Sequence, residues 1–117
     1  MSNLSELLPS GGGQNVGSFV ASGALTNGLP VALRTDGKVE AVTSGNITSF
    51  IGITGQAISD TATGNVDMLG GINSQQTSLV IGSKYYIQSD GSLAVTVTSA
   101  FAGQAISDTT LNIRDLT

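Results

Sequence analysis

The sequence predicts an all-β domain, a small β-sandwich or barrel built from two pseudo-repeated hairpin units behind an N-terminal arm. Three observations predict it: the composition, a repeated heptapeptide and two Asp-Gly hairpin patterns. Of the 117 residues, 39% are hydrophobic and only 10% are charged. The apolar residues are mainly small and β-branched, which suits pleated strands, and so apolar a chain is not expected to be disordered. The length indicates one domain, residues 16–117, after an arm at residues 1–15.

The repeat is the clearest internal feature of the chain. The heptapeptide GQAISDT occurs at residues 55–61 and again at residues 103–109. A phenylalanine precedes each copy, and a hairpin pattern precedes each phenylalanine, so the pseudo-repeats span about 29–69 and 82–117. The spacers between these motifs differ in length, which indicates a diverged duplication. Two copies are fewer than a solenoid needs.

The two Asp-Gly turns allow a test of strand register. A two-residue loop would place apolar residues opposite charged ones on both faces of the hairpin. A three-residue loop at 35–37, with its glycine in the left-handed region, instead places Leu33 opposite Val39. The same choice in the second copy places Ile87 opposite Leu93. Both copies therefore predict a bulged hairpin.

Short runs of β-forming residues between turn signals predict the remaining strands. Many short strands at regular spacing are typical of a β-sandwich or a small barrel. These further strands are predicted at residues 19–21, 50–53, 55–59, 66–69, 79–81, 101–107 and 111–113.

The N-terminal arm carries the only helical pattern and the predicted partner contacts. Its leucines have the i, i+3, i+4 spacing of one short helical turn, which a proline ends, and a triglycine joint follows at residues 11–13. Three leucines on one turn need a surface to cover. We expect the arm to dock on a partner and to add a strand around residues 16–20. The predicted contact residues are Leu4, Leu7, Leu8, Pro9, Val16 and Phe19.

The composition disfavours several classes of function. The chain has no cysteine and no histidine, so the usual nucleophile arrangements and zinc sites lack their main groups. Four scattered cations in a chain of net charge −4 do not form a phosphate-binding stripe, so no nucleic-acid partner is expected. No membrane partner is expected either, because no apolar run has the length of a bilayer span and no signal peptide is present. We expect neither an enzyme nor a cofactor.

Carboxylates remain the only candidates for catalysis or metal binding. Asp60 with Asp67, and Asp108 with Asp115, could form glycosidase pairs, and Asp60, Asn65 and Asp67 could hold calcium. The ligand spacing matches no known calcium loop. Aspartates that follow a strand usually accept backbone N–H groups in turns, and this interpretation of Asp60 and Asp108 is favoured.

Two segments resemble a known family. The stretch FAGQAIS at 101–107 resembles the terminal strand of lambda-type phage head-decoration (cement) proteins, and the order PVAL, DGKV and IGI within residues 30–53 resembles their β-rich middle. The segments LLPSGGGQN, FIGITGQAISD and LGGIN are similar to fibre-associated proteins of marine and cyanobacterial phages. The triglycine arm and the internal duplication depart from the decoration-protein pattern.

The resemblance implies a structural virion protein made in the host cytoplasm and located on the capsid surface. It would bind the major capsid protein as an oligomer, a homotrimer in the family, and stabilise the shell through its arm. A short chain beginning at its own Met1, without a repeated shaft, favours the shell over a fibre. The alternative is a tail-fibre or receptor-binding module that recognises a host surface glycan, for which Tyr86 is the candidate aromatic.

Overall fold

The computed structural model describes residues 15–114, and these residues form two five-stranded antiparallel sheets. The prediction of an all-β fold of the β-sandwich type is confirmed, with one short 3₁₀ helix at Ile47–Ser49 in the described chain. The predicted helical turn of the arm, with Leu4, Leu7, Leu8 and Pro9, lies outside the described residues.

Each sheet is one contiguous stretch of chain. Sheet 1 has the order β1-β5-β4-β2-β3, and sheet 2 has the order β6-β10-β9-β7-β8, which is the same connectivity. Each sheet is therefore one copy of the duplication, and we call residues 15–69 unit 1 and residues 70–114 unit 2. The strands are β1 (Val16–Val20), β2 (Pro30–Leu33), β3 (Val39–Ala41), β4 (Phe50–Thr54) and β5 (Thr63–Met68) in unit 1, and β6 (Ile72–Asn73), β7 (Lys84–Ile87), β8 (Leu93–Ala94), β9 (Phe101–Ala105) and β10 (Leu111–Ile113) in unit 2.

The two predicted bulged hairpins are confirmed. Leu33 pairs with Val39 in unit 1, and Ile87 pairs with Leu93 in unit 2. The loop glycines have φ of +87° and +86°, the left-handed region in which residues other than glycine are strained. In each loop the aspartate side chain accepts the backbone N–H two residues further on, which fixes the turn.

The structural repeat is anchored on a Phe-x-Gly motif and not on the identical heptapeptide. Val31 pairs with Gly52 in unit 1 and Tyr85 pairs with Gly103 in unit 2, each followed by the same bulge. Gly52 and Gly103 are therefore equivalent. Gly55, the first residue of the first heptapeptide, lies three residues beyond that position. The two copies of GQAISDT are thus offset by three residues.

Two of the predicted strands are wrong. Residues 55–59 form a bend in which only Ile58 makes an isolated bridge, to Leu25, because the three-residue offset carries this segment past the end of β4. Residues 79–81 form a turn that leads into β7, and β6 was not predicted. The predicted strand at 111–113 is β10.

The units stack in the same direction, head to tail. Val31 and Val66 lie on one face of sheet 1, and Tyr85 and Leu111 occupy the equivalent register positions in sheet 2; we call this face of each sheet its front. The front of sheet 2 packs against the opposite face, or back, of sheet 1. Their shared core includes Ala32, Val42 and Ile53 from sheet 1 and Tyr85, Ile87, Leu111 and Ile113 from sheet 2.

No second sheet from residues 15–114 covers the front of sheet 1, which is closed by the connections of unit 1. Ala21, Leu25 and Ile58 pack there with Val31, Val39 and Val66 in a separate core. Leu25 and Ile58 exchange backbone hydrogen bonds, which hold the two connections together over the sheet. The back of sheet 2, at the other end of the stack, carries no further layer from residues 15–114.

Candidate interaction surface

The root of the arm is fixed at the junction of the two units. The carbonyl of Asn15 accepts the N–H of Met68, and its side-chain amide donates to the carbonyl of Leu69 at 2.7 Å. Gly70 in turn donates to the carbonyl of Ile113. Asn15, the first described residue, therefore lies beside the end of β10.

β1 is an edge strand. It pairs with β5 on one side and with no other strand of the described chain on its second side, so its outer backbone groups are open to pairing. Of the predicted contact residues on β1, Val16 is exposed, whereas Phe19 packs against the core of unit 1. The structure thus brings Val16 to an accessible place and gives Phe19 a role in the fold.

The back of sheet 2 presents a mixed aromatic and polar surface. Tyr86 and Phe101 pair across β7 and β9, and their rings pack at a centroid distance of 5.2 Å. Gln104 lies opposite Lys84 at the other end of this face, and Arg114 donates to the side chain of Gln104 at 3.3 Å. Sequence reasoning identified only Tyr86 in this group. Pairing the second hairpin with the Phe-x-Gly motif in the sequence would have assigned the other residues to the same face as Tyr86.

Tyr85 and Tyr86 divide as neighbouring strand residues do. Tyr85 is buried in the shared core, and its hydroxyl accepts the N–H of Val80 at 2.9 Å. Tyr86 is half-buried on the opposite face. The division follows from strand geometry, because neighbouring side chains of a strand point to opposite faces of the sheet.

Asp67 and Asn73 form a buried polar contact between the sheets. The Asn73 amide donates to Oδ2 of Asp67 and to the carbonyl of Thr54, each at 2.9 Å. The side-chain oxygen of Asn73, Oδ1, accepts a hydrogen bond from the side-chain amide of Gln76. Burial raises the pKa of Asp67, and the hydrogen bond from Asn73 opposes that rise. Because these groups satisfy one another, their contribution is to fix how unit 2 sits on unit 1.

The candidate carboxylate sites are not assembled. Asp60 lies in a turn and its Oδ1 accepts a backbone N–H, but from Gly23 in a distant loop and not from its own turn, whereas Asp67 lies between the sheets. Asp108 follows β9 in a turn, and Asp115 lies outside the described residues. Within residues 15–114 no group of three acidic, histidine or cysteine side chains is placed to hold a metal ion.

A shallow groove of about 350 Å³ lies where the two units meet. Phe50 and Phe101, the equivalent aromatics of the two units, both line it, together with Ile47, Leu69 and Ala100. The groove is apolar and holds no charged side chain in its lining, so it suits an apolar side chain better than a polar substrate.

Comparison with protein-family models, curated proteins and solved structures finds no match to this chain. No helix in the described part of the chain has the length and apolar character needed to cross a bilayer.

Proposed function

We propose that this protein is a structural virion component that works by contact, a decoration protein of a phage head that binds the major capsid protein and stabilises the shell. The observation that carries the proposal is the arm root. Asn15, to which the arm is joined in sequence, is hydrogen-bonded at the junction of the two units and leads directly into the edge strand β1. The resemblance of residues 30–53 and 101–107 to decoration proteins supports the same function.

The arm supplies part of the binding free energy in this proposal. Full burial of Leu4, Leu7 and Leu8 contributes about 1.5–3 kcal/mol each. Fixing the backbone of residues 4–8 costs about 1–2 kcal/mol per residue. These two contributions nearly cancel, so the arm needs additional contacts to hold the protein on a shell. Strand addition along β1, beginning at Val16, is one source of them.

A truncation tests the role of the arm. Removing residues 1–13 should leave the domain folded, because all ten strands of the described residues begin after residue 15. It should abolish binding to shells of the phage that carries this gene. Sedimentation of the protein with purified shells measures the binding, and circular dichroism verifies the fold. The full-length variant Leu4→Ser, Leu7→Ser, Leu8→Ser should give the same result. Retained binding by both variants would contradict the proposed mechanism.

A receptor-binding module of a tail fibre is the second candidate. The observation that favours it is the half-buried ring of Tyr86 on the same face as the polar groups of Gln104 and Arg114, since an aromatic ring and hydrogen-bonding groups on one face suit a sugar. The number of copies per particle separates the two candidates. Hundreds of copies agree with the shell, and a few tens or fewer agree with a tail.

A further inference from the structure

The two sheets have equivalent back faces that meet different surroundings. In unit 1 the positions Ala32, Ile53 and Phe50 face unit 2 and belong to the shared core. Their equivalents in unit 2 are Tyr86, Gln104 and Phe101, from the same pairing register and the same bulge. One back face is therefore covered by an apolar sheet. The other carries no further sheet from the described residues; there Phe101 is 6% exposed, while Tyr86 and Gln104 are half-buried.

The connection that borders the back face also differs between the two units in how far its apolar side chains are buried. In unit 1 the connection from β3 to β4 buries Val42 and packs Ile47 against the shared core. In unit 2 the connection from β8 to β9 passes the end of β7, where Thr98 bonds the carbonyl of Ile87. It leaves Val95 and Val97 58% and 75% exposed. By the hairpin register these valines take the positions of Ala41 and Thr43, so the connection of unit 2 has exposed valines where unit 1 has a small and a polar residue. Gln88, next to Ile87 in the chain, donates to the carbonyl of Thr96, which holds this connection beside the back of sheet 2.

The charge of the two back faces differs. Unit 1 carries Glu40 and Asp67 on its back face, and unit 2 has Ala94 and Asn112 at those positions. On sheet 1 the carboxylates are accompanied by Arg34, which pairs with Glu40 at 3.3 Å, and by Lys38 opposite Arg34. The equivalents of these cations in sheet 2, Gln88 and Ser92, are neutral. Conversely, Lys84 takes the place of Pro30 and Arg114 that of Leu69. Over these six equivalent positions the formal charge changes from 0 (Glu40 and Asp67 against Arg34 and Lys38) to +2 (Lys84 and Arg114), and the strands of sheet 2 contain no carboxylate. Two of the four cations of the chain lie on this face.

We propose that the back of sheet 2 is a docking surface for an apolar β-sheet face of a partner protein that carries carboxylates along one border. The front of sheet 2 covers the back of sheet 1, which is the equivalent of the face proposed here. The front of sheet 2 is therefore an example of the kind of surface that a partner would present. Lys84 and Arg114 provide charge complementarity to the carboxylates, and Tyr86 provides an aromatic contact on the face itself. Val95 and Val97 add exposed apolar side chains on the connection that borders it.

The arm root gives the reason to assign this surface to the same partner as the arm. Asn15 is linked through the junction to Ile113, and Arg114 follows on the back of sheet 2. A partner that holds the arm is therefore adjacent to this face. The inference rests on the proposed function, in which that partner is the capsid protein, and it supplies the contacts that the arm leucines alone do not provide.

Two pairs of variants of the full-length protein test the surface by sedimentation with purified shells. Val95→Ser with Val97→Ser should weaken binding about tenfold, because two apolar contacts are lost, whereas Val80→Ser with Ile81→Ser, which changes equally exposed residues of another loop, should not. Lys84→Gln with Arg114→Gln should weaken binding by about the same factor at low salt and less at high salt. Its control, Ser44→Glu with Ser59→Glu, changes the net charge by the same −2 at exposed sites of unit 1.

The outcomes separate the surface from the function. If the wild-type protein binds shells and both pairs of variants bind as tightly as their controls, the docking surface is refuted and the proposed function stands. If the wild-type protein does not bind shells, the proposed function fails and the assignment of the partner fails with it. If the wild-type protein is an oligomer in solution that the back-face variants convert to monomers, the occupant is a second copy of this chain and the partner named here is wrong.

Discussion

The two copies of GQAISDT have the same sequence and different environments. Ile58 in the first copy is 3% exposed and closes the front of sheet 1, whereas Ile106 in the second copy is 50% exposed. The cause is the three-residue offset between the heptapeptide and the Phe-x-Gly motif, which fixes where β4 and β9 pair. Local identity therefore does not establish structural equivalence, because strand register decides which face a side chain reaches.

The glycines provide the largest expected difference between the copies. A Cβ on Gly103 would lie 2.1 Å from the backbone oxygen of Asn112, so Gly103→Ala requires β9 and β10 to move apart. We expect this change to lower the free energy of unfolding by about 3 kcal/mol. Gly55→Ala changes the same heptapeptide position, where the nearest atom is a side-chain oxygen of Asp67 at 3.3 Å, and should cost less than about 1 kcal/mol.

Urea denaturation of the two glycine variants measures both effects. A third variant, Gly52→Ala, should behave like Gly103→Ala, because its Cβ would lie 2.3 Å from the backbone oxygen of Asp67. Equal losses for Gly55→Ala and Gly103→Ala would show that the heptapeptides, and not the Phe-x-Gly motifs, are equivalent.

The isoleucines give the next largest difference. Ile58→Ala removes a buried side chain from the core that closes unit 1, and should lower the free energy of unfolding by about 2–3 kcal/mol. Ile106→Ala removes an exposed side chain and should change it by less than about 0.5 kcal/mol. Thermal or urea unfolding measures the two losses. Their ratio shows how much less Ile106 contributes to covering a sheet face than Ile58 does. A comparable loss for both would place Ile106 in a buried position and contradict the offset.

Asp67 and its equivalent Asn112 should give the smallest effect, one that depends on pH. Burial raises the pKa of Asp67 in the folded protein above its ordinary value of 3.8. The folded state then binds the proton more tightly than the unfolded state, so this group stabilises the fold below pH 3.8 and loses that contribution as the pH rises through its folded pKa. Asp67→Asn should therefore raise the melting temperature at pH 7, while an amide oxygen can still accept from Asn73.

The same variant should show little or no gain at pH 3, where the wild-type carboxyl is already protonated. In the wild type and in the variant alike, Asp36 and Asp90 make the stability depend on pH in the opposite direction to Asp67. A backbone hydrogen bond from Lys38 lowers the pKa of Asp36, and hydrogen bonds from Ser92 lower that of Asp90. Their stabilisation is lost as the pH falls, so the comparison must be made between variant and wild type at each pH. A gain that is equal at both pH values would contradict the raised pKa of Asp67.

Local rules were sufficient for the hairpins. The Asp-Gly turns, with the cost of placing Leu33 opposite a charged residue, determined the loop length and the register in both units. The β class followed in the same way from composition and turn spacing, because both depend on neighbouring residues only.

Packing between distant segments was not available from the sequence. Residues 55–59 have the composition of a strand, but their place is decided by where Gly52 can approach β5, which is a long-range contact. The polar group at Asn73 and the face formed by Lys84, Gln104 and Arg114 depend on how one unit stacks on the other. The arm residues could be proposed from their pattern alone, and of the predicted contacts on β1 only Val16 is accessible.

The direction of stacking has a consequence for how such a chain can lengthen. Two sheets related by a face-to-face rotation would close on each other and admit no third member. Here the end of β10 in unit 2 is equivalent to the end of β5 in unit 1, from which the chain continues into the next sheet. The back of sheet 2 is likewise equivalent to the back of sheet 1, which a sheet already covers. A tandem duplication of the gene segment for unit 2 would therefore yield a longer stack with the same contacts between sheets, provided that Lys84, Gln104 and Arg114 of the middle copy were replaced by apolar residues.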